Sequence, residues 1–176
     1  MSDTSVPDAG ADETGVASYA SEDVREIDID GDGVADGYRV TRTEVTETDV
    51  DGDGVADIVE TVTTEETIID VDGDGVPDVI STVETTEVVM DVDGDGVVDS
   101  VDVTEVRTVA QDIDGDGVPD VTRTDVITAS AIDPDEDGNL QGVDVDGARI
   151  YGLDSTGDGE IDAVVVEELD VEVVDD

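Results

Sequence analysis

The nine residues Asp49-Val50-Asp51-Gly52-Asp53-Gly54-Val55-Ala56-Asp57 form a segment that recurs through most of this chain. Each copy opens on an aspartate, and each opening aspartate lies 21 residues after the previous one. The seven opening aspartates are Asp28, Asp49, Asp70, Asp91, Asp112, Asp133 and Asp154. A fixed period of this kind indicates a repeat architecture in which every unit has the same local structure.

The segments between these loops are predicted to be β-strands. The second copy continues as Ile58-Val59-Glu60-Thr61-Val62-Thr63-Thr64-Glu65-Glu66-Thr67-Ile68-Ile69, and the other copies have the same character. Val, Ile and Thr dominate, and their branched Cβ atoms favour extended backbone over helix. The predicted fold class is therefore all-β, an elongated repeat array of strands joined by loops.

Two arrangements of these strands are open. If each loop closes a hairpin, the product is an antiparallel meander of strands about 40 Å long, with loops at both ends of the strands. If each 21-residue unit is one coil, the product is a parallel β-solenoid with a single row of loops. The spacers mostly lack Gly, Pro or Asn in their middles, where a coil would need a corner, so we favour the meander.

The residues three places after each loop favour the parallel β-solenoid instead. In a parallel stack Arg39 would lie over Glu60, and Arg123 would lie between Asp102 and Asp144. Opposite charges on neighbouring strands stabilise such a ladder. The solenoid therefore remains the second possibility.

Composition excludes several classes of function. The formal net charge of −47, with six basic residues that are all arginine, predicts no binding to nucleic acid or to an anionic membrane surface. No apolar run approaches the roughly 20 residues of a membrane span, so no membrane insertion is expected. Without His, Cys or Lys the chain lacks the usual catalytic bases and nucleophiles, and we expect no enzymatic activity.

The order of residues in the loop suits a hard cation. Carboxylates at positions 1, 3 and 5, a carbonyl at position 7 and an acid at position 9 surround an ion, and glycine at position 6 allows the bend. Oxygen ligands without His or Cys favour Ca²⁺ over zinc or copper. The predicted ligands, five to seven sites in all, are Asp28, Asp30, Asp32, Val34 and Asp36; Asp49, Asp51, Asp53, Val55 and Asp57; Asp70, Asp72, Asp74, Val76 and Asp78; Asp91, Asp93, Asp95, Val97 and Asp99; Asp112, Asp114, Asp116, Val118 and Asp120; Asp133, Asp135, Asp137 and Asn139; Asp154, Thr156, Asp158, Glu160 and Asp162.

This loop pattern, from residue 28 to residue 162, resembles the calcium loops of EF-hands, dockerins, thrombospondin type 3 repeats and the FG-GAP repeats of integrin-like propellers. The resemblance implies calcium binding. It does not imply the helical EF-hand fold, because position 12 of those loops carries a glutamate, whereas here it varies from Arg39 to Val165. The strand-forming flanks also differ from EF-hand helices.

The last two copies depart from the consensus, as the end units of a capped array do. Copy six reads Asp133-Pro134-Asp135-Glu136-Asp137-Gly138-Asn139-Leu140-Gln141, and copy seven replaces the third-position acid with Thr156. The spacer of copy six also contains Asp146-Gly147, a dipeptide that predicts an additional hairpin.

Two regions follow from this pattern. Residues 1–23 are small, polar and acidic, which predicts a disordered leader, and residues 24–176 hold the seven repeats. The first residues show no basic segment followed by an apolar run, so we expect no Sec signal peptide and a protein that is cytoplasmic or exported by a non-Sec route.

The function predicted from the sequence follows from the crowding of carboxylates in the loops. Four acids within nine residues repel one another unless a cation is bound, so folding and rigidity are expected to depend on Ca²⁺. We expect a structural or adhesin-like calcium-binding module. The alternatives are a soluble calcium buffer or sensor, and an acidic mimic of nucleic acid; the partner protein is unknown.

Overall fold

The computed structural model describes residues 16–135 and 137–169, which form one antiparallel sheet of eight strands. Spatial order follows chain order, so each strand pairs with the next along the chain and the sheet is a meander. The strands are β1 (Val16–Ile27), β2 (Gly37–Thr48), β3 (Ile58–Ile69), β4 (Val79–Met90), β5 (Ser100–Gln111), β6 (Val121–Ile132), β7 (Gln141–Leu153) and β8 (Ala163–Glu168).

The prediction of an all-β meander is confirmed. Each of β3 to β6 has 12 residues and coincides with the spacer between two loops. Pairing runs the full length of neighbouring strands, from Ile58↔Met90 to Ile69↔Val79 between β3 and β4. The parallel solenoid is excluded, because Arg39 lies opposite Thr67 rather than over Glu60.

The structure corrects the boundary of the leader. Residues 16–23 belong to β1, although the sequence pattern assigned them to a disordered segment; the rest of that segment, residues 1–15, lies outside the described residues. Strand β1 pairs with β2 along its whole length, from Val16↔Thr48 to Ile27↔Gly37. Hydrogen bonding to an existing strand edge therefore overrides the weak strand propensity of this small, polar stretch.

The additional hairpin predicted at Asp146-Gly147 is wrong. Strand β7 continues through both residues, which pair with Thr128 and Ile127 of β6. Continuous pairing with β6 from Leu153 to Asp144 outweighs the local turn preference of this dipeptide. On its other side β7 pairs with β8 from Ala148 to Leu153, and the amide of Leu169 donates to the carbonyl of Gly147 at 2.8 Å.

The sheet is a single layer, and its described residues include no helix able to cross a membrane. Within residues 16–135 and 137–169 no apolar side chain is buried, and most strand residues are half-exposed. A sheet normally buries one face against a second layer. Backbone hydrogen bonds and the loops therefore contribute a larger share of cohesion here than in a protein with a core.

The one buried charged group on a strand is Asp125 of β6. Arg149 of β7 binds it through two hydrogen bonds, Nε to Oδ1 at 2.6 Å and Nη2 to Oδ2 at 3.0 Å. Arg123 also approaches Oδ2, with Nη2 at 3.3 Å. The hydrogen bonds from Arg149 hold the pKa of Asp125 below its ordinary value, so this carboxylate is ionised at neutral pH.

We predict that Asp125→Asn destabilises the sheet by about 1–3 kcal/mol, because it breaks a bidentate bond and leaves arginine nitrogens without their acceptor. Urea denaturation in calcium-containing buffer measures the change. Glu84→Gln, at an exposed position of β4, removes the same charge and should leave the midpoint almost unchanged. Equal effects of the two substitutions would contradict the special role of Asp125.

Candidate metal centre

The seven acidic loops lie alternately at the two ends of the strands. Loops 1, 3, 5 and 7 (28–36, 70–78, 112–120 and 154–162) share the four-loop end, and loops 2, 4 and 6 (49–57, 91–99 and 133–141) share the three-loop end. Alternation follows from the meander, because each loop reverses the chain direction. The predicted placement of loops at both ends is confirmed.

Loop 2 shows how the backbone positions the carboxylates. Asp49 accepts hydrogen bonds from the amides of Gly52, 2.6 Å from Oδ1, and Gly54, 2.9 Å from Oδ2. Oδ1 of Asp51 accepts the amide of Asp53 at 3.0 Å. Amides therefore orient the side chains toward the inside of the loop, and Oδ2 of Asp51 carries no hydrogen bond from the described residues.

Two glycines allow this curl. Gly52 and Gly54 have φ values of 82° and 92°, in the left-handed region that residues with a Cβ rarely adopt. Glycine at position 6 has a positive φ in every loop, and its amide donates to the first aspartate of the loop at 2.7–3.1 Å. The repeated sequence thus has one repeated conformation.

The carboxylates of loops 1 to 5 converge to distances at which one cation could bind them. In each of these loops three aspartates offer oxygen atoms that all lie within 4.8 Å of one another. Positions 1, 3 and 5 form the group in loops 1 and 2, and positions 1, 3 and 9 form it in loops 3 to 5. Each of these loops therefore brings three of its four predicted aspartates together; position 9 lies outside the group in loops 1 and 2, and position 5 lies outside it in loops 3 to 5.

Aspartates of the loops are among the most deeply buried residues in the described part of the chain. The exposed fraction is 9% for Asp57, 8% for Asp112, 4% for Asp133 and 2% for Asp154. Valines in the same loops are exposed, as at Val50. An ordinary globular protein has the opposite arrangement, because burying a carboxylate is costly unless it is paired.

Loop 6 keeps the bend at its position-6 glycine despite its altered sequence, with φ of 83° at Gly138. Oδ2 of Asp133 accepts the amide of Gly138 at 2.7 Å, while its buried Oδ1 has no hydrogen-bond partner among the described residues. Burial opposes ionisation of Asp133, but the amide of Gly138 helps to hold its pKa below the ordinary value. Burial and the charge of Asp137 raise the pKa of Asp135. The negative charges of Asp137 and Asp133 therefore oppose ionisation of Asp135.

Loop 7 has the consensus geometry with one substitution. The amides of Gly159 and Gly157 donate to Asp154, each at 2.8 Å, and the bond from Gly159 is the largest cause of its lowered pKa. The Ser155 hydroxyl lowers the pKa of Asp162. The predicted ligand Thr156 directs its hydroxyl to Oδ1 of Asp154 at 3.3 Å, so it supports that carboxylate as a donor.

The position-7 residues lie in the loops next to the position-5 carboxylates, and their role as carbonyl ligands stays a prediction. Their amides donate to the position-5 carboxylate, as Val55 does to Asp53 at 2.7 Å and Asn139 to Asp137 at 2.9 Å. This bond fixes the peptide that precedes each position-7 residue.

Neighbouring loops at the same end are joined, which sequence reasoning missed. The amide of the first aspartate in one loop donates to the carbonyl of the last aspartate two loops earlier; Asp91 donates to Asp57 at 2.9 Å and Asp133 to Asp99 at 2.8 Å. The same bond links Asp70 to Asp36, Asp112 to Asp78 and Asp154 to Asp120 at 2.8–3.0 Å. In a meander, loops that are two copies apart lie side by side. A spacing of 42 residues, twice the repeat period, was therefore the sequence signal for these contacts.

Side chains of adjacent loops also approach. A Cβ on Gly94 of loop 4 would lie 3.9 Å from Oδ2 of Asp51 in loop 2, and one on Gly157 of loop 7 would lie 3.5 Å from Oδ2 of Asp116 in loop 5. Carboxylates of one loop are thus close to the backbone of the next. Each end of the sheet is a row of interacting acidic loops rather than a set of separate ones.

Comparison with protein-family models, with curated proteins and with solved structures finds no match to this chain.

Proposed function

We propose that this protein is a calcium-binding repeat protein whose folding and rigidity depend on Ca²⁺. The observation that carries the proposal is the burial of loop aspartates in a structure whose described part buries no apolar side chain. Buried carboxylates need a positive partner. The loops hold no arginine or lysine, so a cation is the partner that fits them.

The chemistry of the loops supports Ca²⁺ in particular. Every side-chain donor in loops 1 to 5 is a carboxylate, and hard oxygen ligands in a flexible loop suit Ca²⁺, which accepts six to eight of them. Mg²⁺ requires a smaller octahedron and keeps several waters. Seven bound Ca²⁺ ions would reduce the formal net charge from −47 to −33.

The positions of the loops support a structural role. Each loop joins two antiparallel strands, and in every loop except loop 6 the last aspartate donates its amide to the carbonyl that precedes the loop, as Asp57 does to Thr48 at 2.9 Å. A cation bound by the first and last aspartates therefore clamps the end of a hairpin. Clamps at both ends stiffen the whole sheet, which suits an extended structural or adhesin-like module.

A calcium titration followed by calorimetry tests the proposal. We expect five to seven ions per chain, because all seven loops share the bond from the position-6 amide to the first aspartate, and loops 6 and 7 each replace one acid. Dissociation constants of about 10⁻⁴–10⁻³ M would fit a structural module, whereas micromolar or tighter values would fit a calcium buffer or sensor. Fewer than five ions would contradict the assignment of sites.

A matched pair of variants checks that the ions bind in the loops. The double substitution Asp93→Asn with Asp95→Asn removes two carboxylates from loop 4 and should lower the stoichiometry by one ion. The pair Asp102→Asn with Glu105→Gln removes the same charge from strand β5 and should leave the stoichiometry unchanged. Loss of an ion in both variants would show that binding follows overall charge.

We further predict that loops at one end respond to each other and not to the opposite end. With loop 4 disabled by Asp93→Asn and Asp95→Asn, the calcium concentration that half-saturates loops 2 and 6 should rise several-fold, because both loops share a backbone hydrogen bond with loop 4. Amide signals of Gly54 and Gly138 in nuclear magnetic resonance spectra report these loops. Gly75 and Gly117, at the four-loop end, serve as controls and should titrate as in the unmodified protein.

Disabling loop 3 by Asp72→Asn and Asp74→Asn should reverse this pattern, shifting Gly33 and Gly117 and leaving Gly54 and Gly138 unchanged. Equal shifts at both ends in either variant would show that coupling passes through the sheet or through net charge, and not through the bonds between loops.

A further inference from the structure

Both faces of the sheet are open in the described chain, and this raises the question of what covers them. The strands carry many half-exposed valines and isoleucines, yet none is buried within residues 16–135 and 137–169. Sheets of this kind gain their stability by burying one face against another layer. The described part of the chain supplies a single layer, so a second layer has to come from outside it.

Strand register separates the side chains into two faces, one with odd-numbered and one with even-numbered residues. Paired residues have the same parity from β1 to β8, as in Arg25↔Arg39, Val109↔Arg123 and Tyr151↔Val165. The exception is the irregularity at Ser130/Ile132, where β7 begins. Odd-numbered strand residues therefore share one face and even-numbered ones share the other, because side chains alternate along a strand.

The two faces differ in charge. The odd-numbered face carries five of the six arginines and seven acids, a formal charge of −2, and is called here the arginine face. The even-numbered face carries one arginine and ten acids, a formal charge of −9, and is called the acidic face. The arginines of the arginine face are Arg25, Arg39, Arg107, Arg123 and Arg149.

Charges on the arginine face are largely matched within the chain. Arg25 binds Asp23 at 2.7 Å, Arg39 lies 3.5 Å from Glu65, and both Arg123 and Arg149 contact Asp125. These pairs lie in two neighbouring rows that cross the sheet. Half-buried valines surround them, including Val83 in β4 and Val103 and Val109 in β5. This face combines apolar surface with near-neutral charge.

We propose that the arginine face binds the arginine face of a second copy of this chain, forming a symmetric two-layer sandwich. Electrostatics selects this pairing. Repulsion between two faces scales with the product of their charges, which is 81 for two acidic faces, 18 for an acidic face on an arginine face and 4 for two arginine faces. Contact between arginine faces also leaves both acidic faces in water.

The area of the face is sufficient for a stable dimer. Twelve-residue strands at about 3.4 Å per residue and seven full-length strands about 4.8 Å apart give roughly 1,300 Å². A standard protein interface buries about 800 Å² on each partner. Identical faces packed about a two-fold axis form a closed pair, and the sheets would lie about 10 Å apart.

The dimer is independent of cation binding in its chemistry. The loops project from the ends of the strands, whereas the proposed contact uses strand side chains of one face. Either proposal can therefore fail while the other holds. Calcium enters the test only as a condition under which the sheet is folded.

Light scattering coupled to size-exclusion chromatography tests the proposal on the full chain, in the buffer where circular dichroism shows β structure. We expect 36.4 kDa, twice the 18.2 kDa of one chain, at micromolar concentrations. A mass of 18.2 kDa at every concentration would overturn the proposal. Masses that keep growing with concentration would indicate stacking of acidic on arginine faces and would also overturn it.

Two valines of one strand provide a matched pair of variants. Val109→Glu adds a charge to the arginine face of β5, and Val106→Glu adds the same charge to the acidic face three residues earlier; both side chains are half-buried. We expect Val109→Glu to raise the dimer dissociation constant at least ten-fold and Val106→Glu to leave it within two-fold. Equal effects, or the reverse order, would contradict the proposed face.

A second pair avoids half-buried positions in case the valine variants unfold. Arg107→Glu and Arg42→Glu each change the charge by two units at an exposed residue, on the arginine face and the acidic face respectively. Arg107→Glu should weaken the dimer, and Arg42→Glu should not. Circular dichroism confirms that each variant keeps its strands before its mass is interpreted.

Discussion

The crowding of carboxylates in a nine-residue loop is the interaction on which the rest of this structure depends. Amides of the loop donate to the aspartate side chains and aim the remaining oxygens inward, as Gly52 and Gly54 do for Asp49. The conformation that brings these oxygens together also brings their charges together. The proposed function follows from this conflict: we infer that a bound cation offsets the repulsion, so that the loop is a ligand-dependent part of the fold.

Because the same loops reverse the chain, the balance of charge in them controls the sheet. Each loop fixes the register of the two strands that it joins, and its bond to the loop two copies away ties one hairpin to the next. The described strands bury no apolar side chain, so they form no hydrophobic core. Cohesion is therefore concentrated at the two ends of the strands, where the acidic loops lie, and in the hydrogen bonds between strands.

Much of this fold follows from the sequence because its information is periodic. A 21-residue repeat with nine loop residues leaves 12 for a strand, and the structure has strands of that length at those positions. The bend of the loop was predictable for the same reason, because glycine at position 6 of every copy has the positive φ that a tight bend requires. The meander was favoured by the absence of corner residues, and its confirmation fixed which loops are neighbours.

The features that the sequence did not predict depend on pairing between distant segments, which local sequence patterns do not encode. Residues 16–23 look like a polar leader until β2 offers them an edge, and Asp146-Gly147 looks like a turn until β6 holds it straight. The two faces emerge only when register is known, because loop and strand lengths together keep odd residues opposite odd residues. Bonds between loops, such as Asp91 to Asp57, likewise join residues that no single repeat contains.

Circular dichroism of the full chain in calcium and in EGTA tests the central claim most directly, because β content reports whether the loops can close without a cation. The account predicts a strong β signal in calcium and a largely disordered spectrum in EGTA, with the signal restored when calcium is returned. The same β content in both buffers would contradict it.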